Sequence, residues 1–377
     1  MLIEKYRKTI EACRFCPMCK IACTVGNITK NEANYPRGKV LILFTILKKM
    51  REFDEDVVER IYQCAICGLC KNWCISDYDI PELITAARAD IVNSGKTPPR
   101  VLEIYENIKK TGNPYAMIND NEEISAVLDK EIRKIGKRVK ILYFIGDTVF
   151  SHPEIFEATI RILNHAGINF TILSKENRSV ELLYQLGFHK EAERLAKENA
   201  KVINETECEV IVTSDADEYL AFKRDYPRLG ASLNSDIKII HTTEYINLLL
   251  QENKLSFSRE INKSVTYHDP SSLGRYLGVY EDPREVIQVI PGVKFKEMKW
   301  NKDKARCCGA SGGLLFTNPE IAAKAAENVI DEAIEIGAEI ITTASPLCKQ
   351  SLIKHKEKLQ RNSVEVYDIT ELIEKTM

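Results

Sequence analysis

Two runs of cysteine constrain this chain more than anything else in it. Cys13, Cys16, Cys19 and Cys23 form the first, and Cys64, Cys67, Cys70 and Cys74 the second, each spaced C-x2-C-x2-C-x3-C. They take eight of the twelve cysteines and leave Cys208, Cys307, Cys308 and Cys348. The chain opens MLIEKYRKTI, without the apolar stretch of a secretory leader, and has 377 residues. A disulfide framework of the small secreted kind is therefore disfavoured, and a reducing cytoplasm is expected. Structural zinc ordinarily takes pairs of cysteines rather than triplets each trailed by a fourth. The spacing points instead to thiolates on iron, two cubane 4Fe-4S clusters, with zinc as the main alternative.

The runs lie in a first region, residues 1–95. Between them Val40–Met50 and Asp56–Tyr62 read as helices, and a further helix is predicted from Pro81 to Asn93, with proline and Glu82 in its first turn. Gly95–Pro99 breaks that helix. Residues 96–136 read as a charged helical linker carrying a Gly112-Asn113-Pro114 turn. From Val139 the pattern becomes strands alternating with helices, the grammar of a mainly parallel sheet. It runs twice, over 137–260 and 261–377. Glu191 and Asn199 precede the strand EVIVT, and Glu320 and Asn328, at the same interval, precede EIITT.

The two cysteine runs resemble the ligand run of bacterial-type ferredoxins. There three cysteines wrap one cube and the fourth, too late in the chain for that face, reaches across to the other. The resemblance assigns Cys13, Cys16, Cys19 and Cys74 to one cluster and Cys64, Cys67, Cys70 and Cys23 to the other. Pro36-Arg37-Gly38, the C-G-L-C-K run at Cys67–Lys71 and the helix I-P-E-L-I-x-A-A-R are similar to the helical type of two-cluster ferredoxin. Thr24 and Ile75 follow the last cysteine of each run, where that pattern often has proline.

A second resemblance covers the rest of the chain. His268-Asp269-Pro270-Ser271-Ser272-Leu273-Gly274-Arg275, then Cys307-Cys308-Gly309, then Ser345-Pro346-Leu347-Cys348 resemble the CCG domain of heterodisulfide reductases. Iron–sulfur subunits of glycolate, lactate and anaerobic glycerol-3-phosphate dehydrogenases carry the same domain. The family places five cysteines in each copy. The second copy here keeps Cys307, Cys308 and Cys348, with Ser271 and Ser345 at the other two positions. A third iron–sulfur cluster or other metal at those thiols, with His268, a serine oxygen or water as a further ligand, stands against a buried relic site. In the first copy the five positions map onto Asp147, Arg178, Ser179, Asp215 and Glu218, so no thiolate remains. A buried network of those acids around Arg178 is expected, with a hard-metal site as the weaker alternative. Cys208 matches no ligand position and should pack against the strand after it. His152, His165, His189, His241 and His355 have no ligand-like spacing.

The expected fold is thus α+β and multidomain: an N-terminal helical ferredoxin domain with two 4Fe-4S clusters, then two α/β CCG-type repeats. The net charge of −2 argues against nucleic acid and anionic membrane surfaces as partners. No apolar run is long enough to span a bilayer. Gly309-Ala310-Ser311-Gly312-Gly313 lacks the P-loop lysine and the dinucleotide spacing, so neither flavin nor NAD is expected on this chain. The resemblance implies an electron-transfer subunit whose protein partner is a flavoprotein dehydrogenase, a heterodisulfide-reductase-like subunit or a membrane cytochrome. It would place the protein in the cytoplasm, or on the inner face of the membrane through that partner. Two alternatives remain. One is a catalytic subunit reducing a disulfide or other small substrate at Cys307, Cys308, Cys348 and His268. The other is a non-redox zinc-binding assembly protein.

Overall fold

The structure, a computed structural model, describes residues 1–117, 139–173, 176–361 and 363–377. The later part of the expected helical linker, residues 118–136, lies outside the described residues.

The N-terminal region is helical. Its longer helices are α1 (Pro36–Leu47), α2 (Glu55–Tyr62), α3 (Ile80–Asn93) and α4 (Pro99–Thr111), with short helical turns carrying the cysteines between them. The starts follow from local chemistry. Proline occupies the first turn of α1, α3 and α4, where a missing N–H costs nothing. Asp54 caps α2 by accepting from Val57 N, and Asp79 caps α3 by accepting from Glu82 N. The first helix begins four residues earlier than expected because Pro36 opens it. Ile10, Val40, Leu43, Val57, Ile61, Leu83 and Ile84 form the core here, and this core runs on without a break into Leu183, Leu186, Phe188 and Leu195.

The remaining chain is two copies of one unit. In the first, the strands are β1 (Ile141–Phe144), β2 (Phe170–Thr171), β3 (Val210–Thr213) and β4 (Lys238–His241). In the second they are β5 (Ser264–His268), β6 (Lys294–Phe295), β7 (Ile340–Thr343) and β8 (Glu365–Asp368). The sheet orders are β2-β1-β3-β4 and β6-β5-β7-β8, and every pairing is parallel. The helices are α5 (Pro153–His165), α6 (Val180–Leu186), α7 (His189–Glu205) and α8 (Thr242–Gln251) in the first copy. In the second they are α9 (Glu281–Gln288), α10 (Pro319–Glu335), α11 (Pro346–Lys358) and α12 (Ile369–Glu374). Helix α8 and the closing β8–α12 pair extend the sequence reading.

The copies pack face to face. Helix α5 lies on α12, and α8 lies on α9, so each copy offers the same pair of helix positions to the other. Phe156, Ile160, Ile246 and Leu249 meet Val286, Ile287, Leu372 and Ile373 in a shared core. Each such fully buried side chain contributes about 1.5–3 kcal/mol. The N-terminal region wedges α3 against α6. At that crossing a Cβ on Gly187, at φ +99°, would lie 2.5 Å from the backbone of Arg88. Glycine is required there both by handedness and by approach. No helix among the described residues is long and apolar enough to cross a membrane.

Candidate metal and redox site

The eight N-terminal thiols fall into two groups of four. Cys13 ends the first short helix, Cys19 sits in the helix Met18–Ala22, and Cys74 follows the turn after Leu69–Asn72. Burial pushes the Cys13 thiol up to about 11, with Cys19, Cys74 and Cys16 adding the repulsion of like charge. This outer group reaches the surface. Cys16 is exposed, and the flanking Phe15 and Ile75 are 83% and 85% exposed. The inner group is Cys23, Cys64, Cys67 and Cys70, which together line one cavity with Lys39, Asn34 and Gln63. Burial pushes Cys23 up to about 12, and Cys64 and Cys67 add to it. Backbone N–H groups already point at the sulfurs: Gly26 N donates to Cys23 Sγ at 3.3 Å and Tyr78 N to Cys74 Sγ at 3.4 Å. Such donors favour the thiolate.

The second repeat closes over the inner group. Arg275 Nε donates to Cys67 O at 2.7 Å, and Tyr276 Oη donates to Ile66 O at 2.5 Å. Gly312, at φ +69°, brings its backbone so near Ala65 that a Cβ would sit 2.5 Å from the Ala65 carbonyl carbon. The Cys67 thiol is pulled down to about 6, first by a hydrogen bond from Cys307 and then by the Arg275 charge. Cys307 is correspondingly pushed up and acts as the donor.

The adjacent Cys308 turns the other way. Its sulfur, Cys348 Sγ and a ring nitrogen of His268 lie within 4.8 Å of one another, all buried. Cys348 is held well below the usual thiol range by hydrogen bonds from Cys308 and His268. His268 ends β5, and Cys348 lies in the first turn of α11, so both stand at the carboxyl ends of parallel strands, where such sheets bind ligands. The loop after His268 is anchored by Asp269, which takes Arg284 through two 2.8 Å bonds. Of the four candidates read from the sequence, His268, Cys308 and Cys348 gather here, while Cys307 packs with Cys67 instead. Ser271 and Ser345 make ordinary bonds, Ser271 to Ser311 Oγ at 2.9 Å and Ser345 as the helix cap accepting from Cys348 N.

In the first repeat, Asp215 caps the helix Ala216–Leu220 and also accepts from Thr148 N, while Glu218 accepts from Ser179 N. Ser179 Oγ donates to Asp147. Arg178 faces Asp147, as expected, but takes its ion-pair partner from outside the expected set. It pairs with Glu176 at 3.3 Å and lies over the Phe150 ring. Burial pushes Asp147 and Glu218 well up. Among the described residues these acids form no group compact enough for a metal, and the His268–Cys308–Cys348 group is the one that does. Cys208 is buried in the core. Sequence reasoning quoted Arg88 only as the last residue of the I-P-E-L-I-x-A-A-R helix, and passed over Lys39 and Tyr276.

Residues 145–222 and 265–353 match the CCG cysteine-rich domain. The first stretch begins just after β1 and the second within β5, and each lies inside one copy of the fold. The chain is 32% identical over 338 residues to a component of the dihydromethanophenazine:CoB–CoM heterodisulfide reductase of Methanosarcina acetivorans, covering 86% of this chain and 79% of that one. It is 29% identical to the probable iron-sulfur-binding oxidoreductase FadF of Bacillus subtilis, over 84% of this chain and 46% of that one. Among solved structures, a hypothetical protein from Helicobacter pylori shares the fold, with a TM-score of 0.55 at 11% identity, over 90% of this chain and 68% of that one.

Proposed function

Because this chain belongs to the CCG-domain family of iron–sulfur oxidoreductases, we propose that it is the electron-transfer subunit of a heterodisulfide-reductase-like or flavin-dehydrogenase complex. In this reading Cys13, Cys16, Cys19 and Cys74 hold an outer 4Fe-4S cluster, and Cys23, Cys64, Cys67 and Cys70 an inner one. Donor chemistry supports the fit: eight free thiols stand in two groups of four, and the inner four share a single cavity. When bound, such clusters take up and release single electrons. The chain's part is to hold the thiols, keep water from the inner group and bring the outer group to the surface, where a protein redox partner can approach. A flavoprotein, a heterodisulfide-reductase-like subunit or a membrane cytochrome would serve, with the protein cytoplasmic or held to the inner membrane face by it.

The observation that carries this reading is the packing of Cys23 and Cys67 against Cys307 in one small buried core. It joins the inner thiols to a Cys-Cys dipeptide whose second sulfur belongs to the His268–Cys308–Cys348 group. One residue thus bridges a relay and a terminal site. That site supports a second reading, in which a metal or third iron–sulfur centre at His268, Cys308 and Cys348 acts directly on a disulfide or other small acceptor. The site's buried place at the carboxyl ends of β5 and β7 favours it. Anaerobic preparation followed by iron and sulfide analysis tests the first reading, which expects at least about eight of each per chain. Cys307→Ser should leave the N-terminal signals in electron paramagnetic resonance intact and slow electron delivery to a disulfide acceptor by about tenfold or more. Iron far below that level after reconstitution, or zinc in its place, overturns the proposal.

A further inference from the structure

Five lysine or arginine side chains are buried among the described residues: Lys39, Arg88, Arg178, Arg284 and Lys349. Three have carboxylate partners. Arg178 pairs with Glu176, Arg284 with Asp269 and Glu297, and Lys349 with Glu154 and Glu371. Lys39 and Arg88, 2% and 0% exposed, have only neutral ones. Lys39 Nζ donates to Asn34 Oδ1 at 3.2 Å and to Arg60 O at 2.5 Å. The Arg88 guanidinium donates to the carbonyls of Gln185, Gly312, Tyr62 and Cys64, at 2.7 to 3.2 Å, and its Nε has no partner.

A buried cation without a counter-ion is costly, so its persistence calls for negative charge nearby. The acids that face these two cations are thiols and, beside Arg88, the Tyr62 phenol. Cys64 and Cys23 face Lys39, and Cys64 faces Arg88. Lys39 also lines the cavity of the inner four cysteines. Four thiolates around a 4Fe-4S cube make a dianion that becomes a trianion on reduction, the counter-charge that both side chains lack. The outer group differs. Its facing cation, Arg37, is partly exposed and already paired with Glu32, and solvent and salt screen such a charge.

We propose that Lys39 and Arg88 are the fixed counter-charges of the inner cysteine group and hold its reduction potential above that of the outer group, so that electrons arriving from a one-electron protein donor collect beside Cys307. The inference rests on the two-cluster reading and adds a direction to it. A unit charge in a low-dielectric interior acts more strongly on the added electron than one in solvent. Arg88 also clamps the N-terminal region to both repeats, so the test uses Lys39. Lys39→Met removes the charge at similar volume, and Lys39→Arg keeps it.

Whole anaerobic protein is titrated with dithionite and redox mediators under electron paramagnetic resonance. Iron and sulfide content checks separately that both clusters are present, which tests the underlying reading apart from the inference. In Lys39→Met, the equilibrium constant for one-electron reduction of the inner cluster should fall at least about tenfold, a drop of about 59 mV, with the outer couple unmoved. Lys39→Arg should restore most of it. Equal shifts in both couples, no shift in either, or an inner couple equally lowered in Lys39→Arg would overturn the proposal.

Discussion

The two repeats share strand order, helix positions and even caps, yet one has kept thiols where the other has acids. His241 and Asp368, each ending the fourth strand of its copy, close capping boxes on α8 and α12. Asp215 and Ser345 cap the helices that follow β3 and β7. At the next equivalent position Glu218 stands against Cys348. The difference teaches that the fold needs acceptors at the carboxyl ends of these strands, because helix-start N–H groups must be satisfied. It does not need sulfur there. Carboxylates meet the structural demand in the first copy, while the second retains a donor set suited to a soft metal. Ser272 ties the two ends together by donating to Asp217, which burial pushes up to about 7.

The largest effect should separate the copies by metal. Cys348→Ala is expected to abolish whatever metal the second repeat binds, lowering elemental content to that of the N-terminal thiols. Glu218→Gln is expected to leave the content unchanged. Equal losses in both would erase the distinction. Next comes stability. Arg284→Met leaves buried Asp269 with a single donor, Lys302 N, and should cost about 3–5 kcal/mol in a denaturant titration. Arg178→Met should cost less, because Glu176 keeps the N–H groups of Ile145 and Gly146 as donors.

The smallest effect sharpens the comparison through pH. Burial draws His241 down to about 3 and pushes Asp368 up to about 7. The lowered histidine contributes stability that is present above its usual value of 6.5 and lost as pH falls toward 3. The raised aspartate contributes stability that is present below its usual value of 3.8 and lost as pH rises through 7. Equivalent caps therefore slope in opposite directions. Asn preserves the cap at either site. His241→Asn should flatten the acid limb of the stability profile and Asp368→Asn the limb up to about 7, read from thermal midpoints across pH. Identical profiles for the two variants would contradict the assignment.

Much of this architecture was legible in the chain. Glu191 and Asn199 do lie in α7 before β3, and Glu320 and Asn328 in α10 before β7, so the repeat could be read from spacing alone. Helix starts at Pro81, Pro153 and Pro346 were equally visible, because proline and caps act within one turn. Strands β2 and β6 proved to be two residues each, since pairing with a neighbour rather than β propensity decides their length. The departure of Arg178 toward Glu176 was invisible for a similar reason: nothing in a sequence says which of several acids a buried guanidinium will meet.

By itself the sequence determined the metal-compatible thiols, their spacing and the doubled α/β pattern, all properties of neighbours along the chain. Only the tertiary structure decided how those parts address one another. Cys307 and Cys308 are consecutive, yet one sulfur faces Cys67 and the other faces His268 and Cys348. Arg88 meets Gly312 across 224 positions of chain. Direction and distance of that kind come from packing two repeats and a helical region into shared cores, which no local pattern encodes.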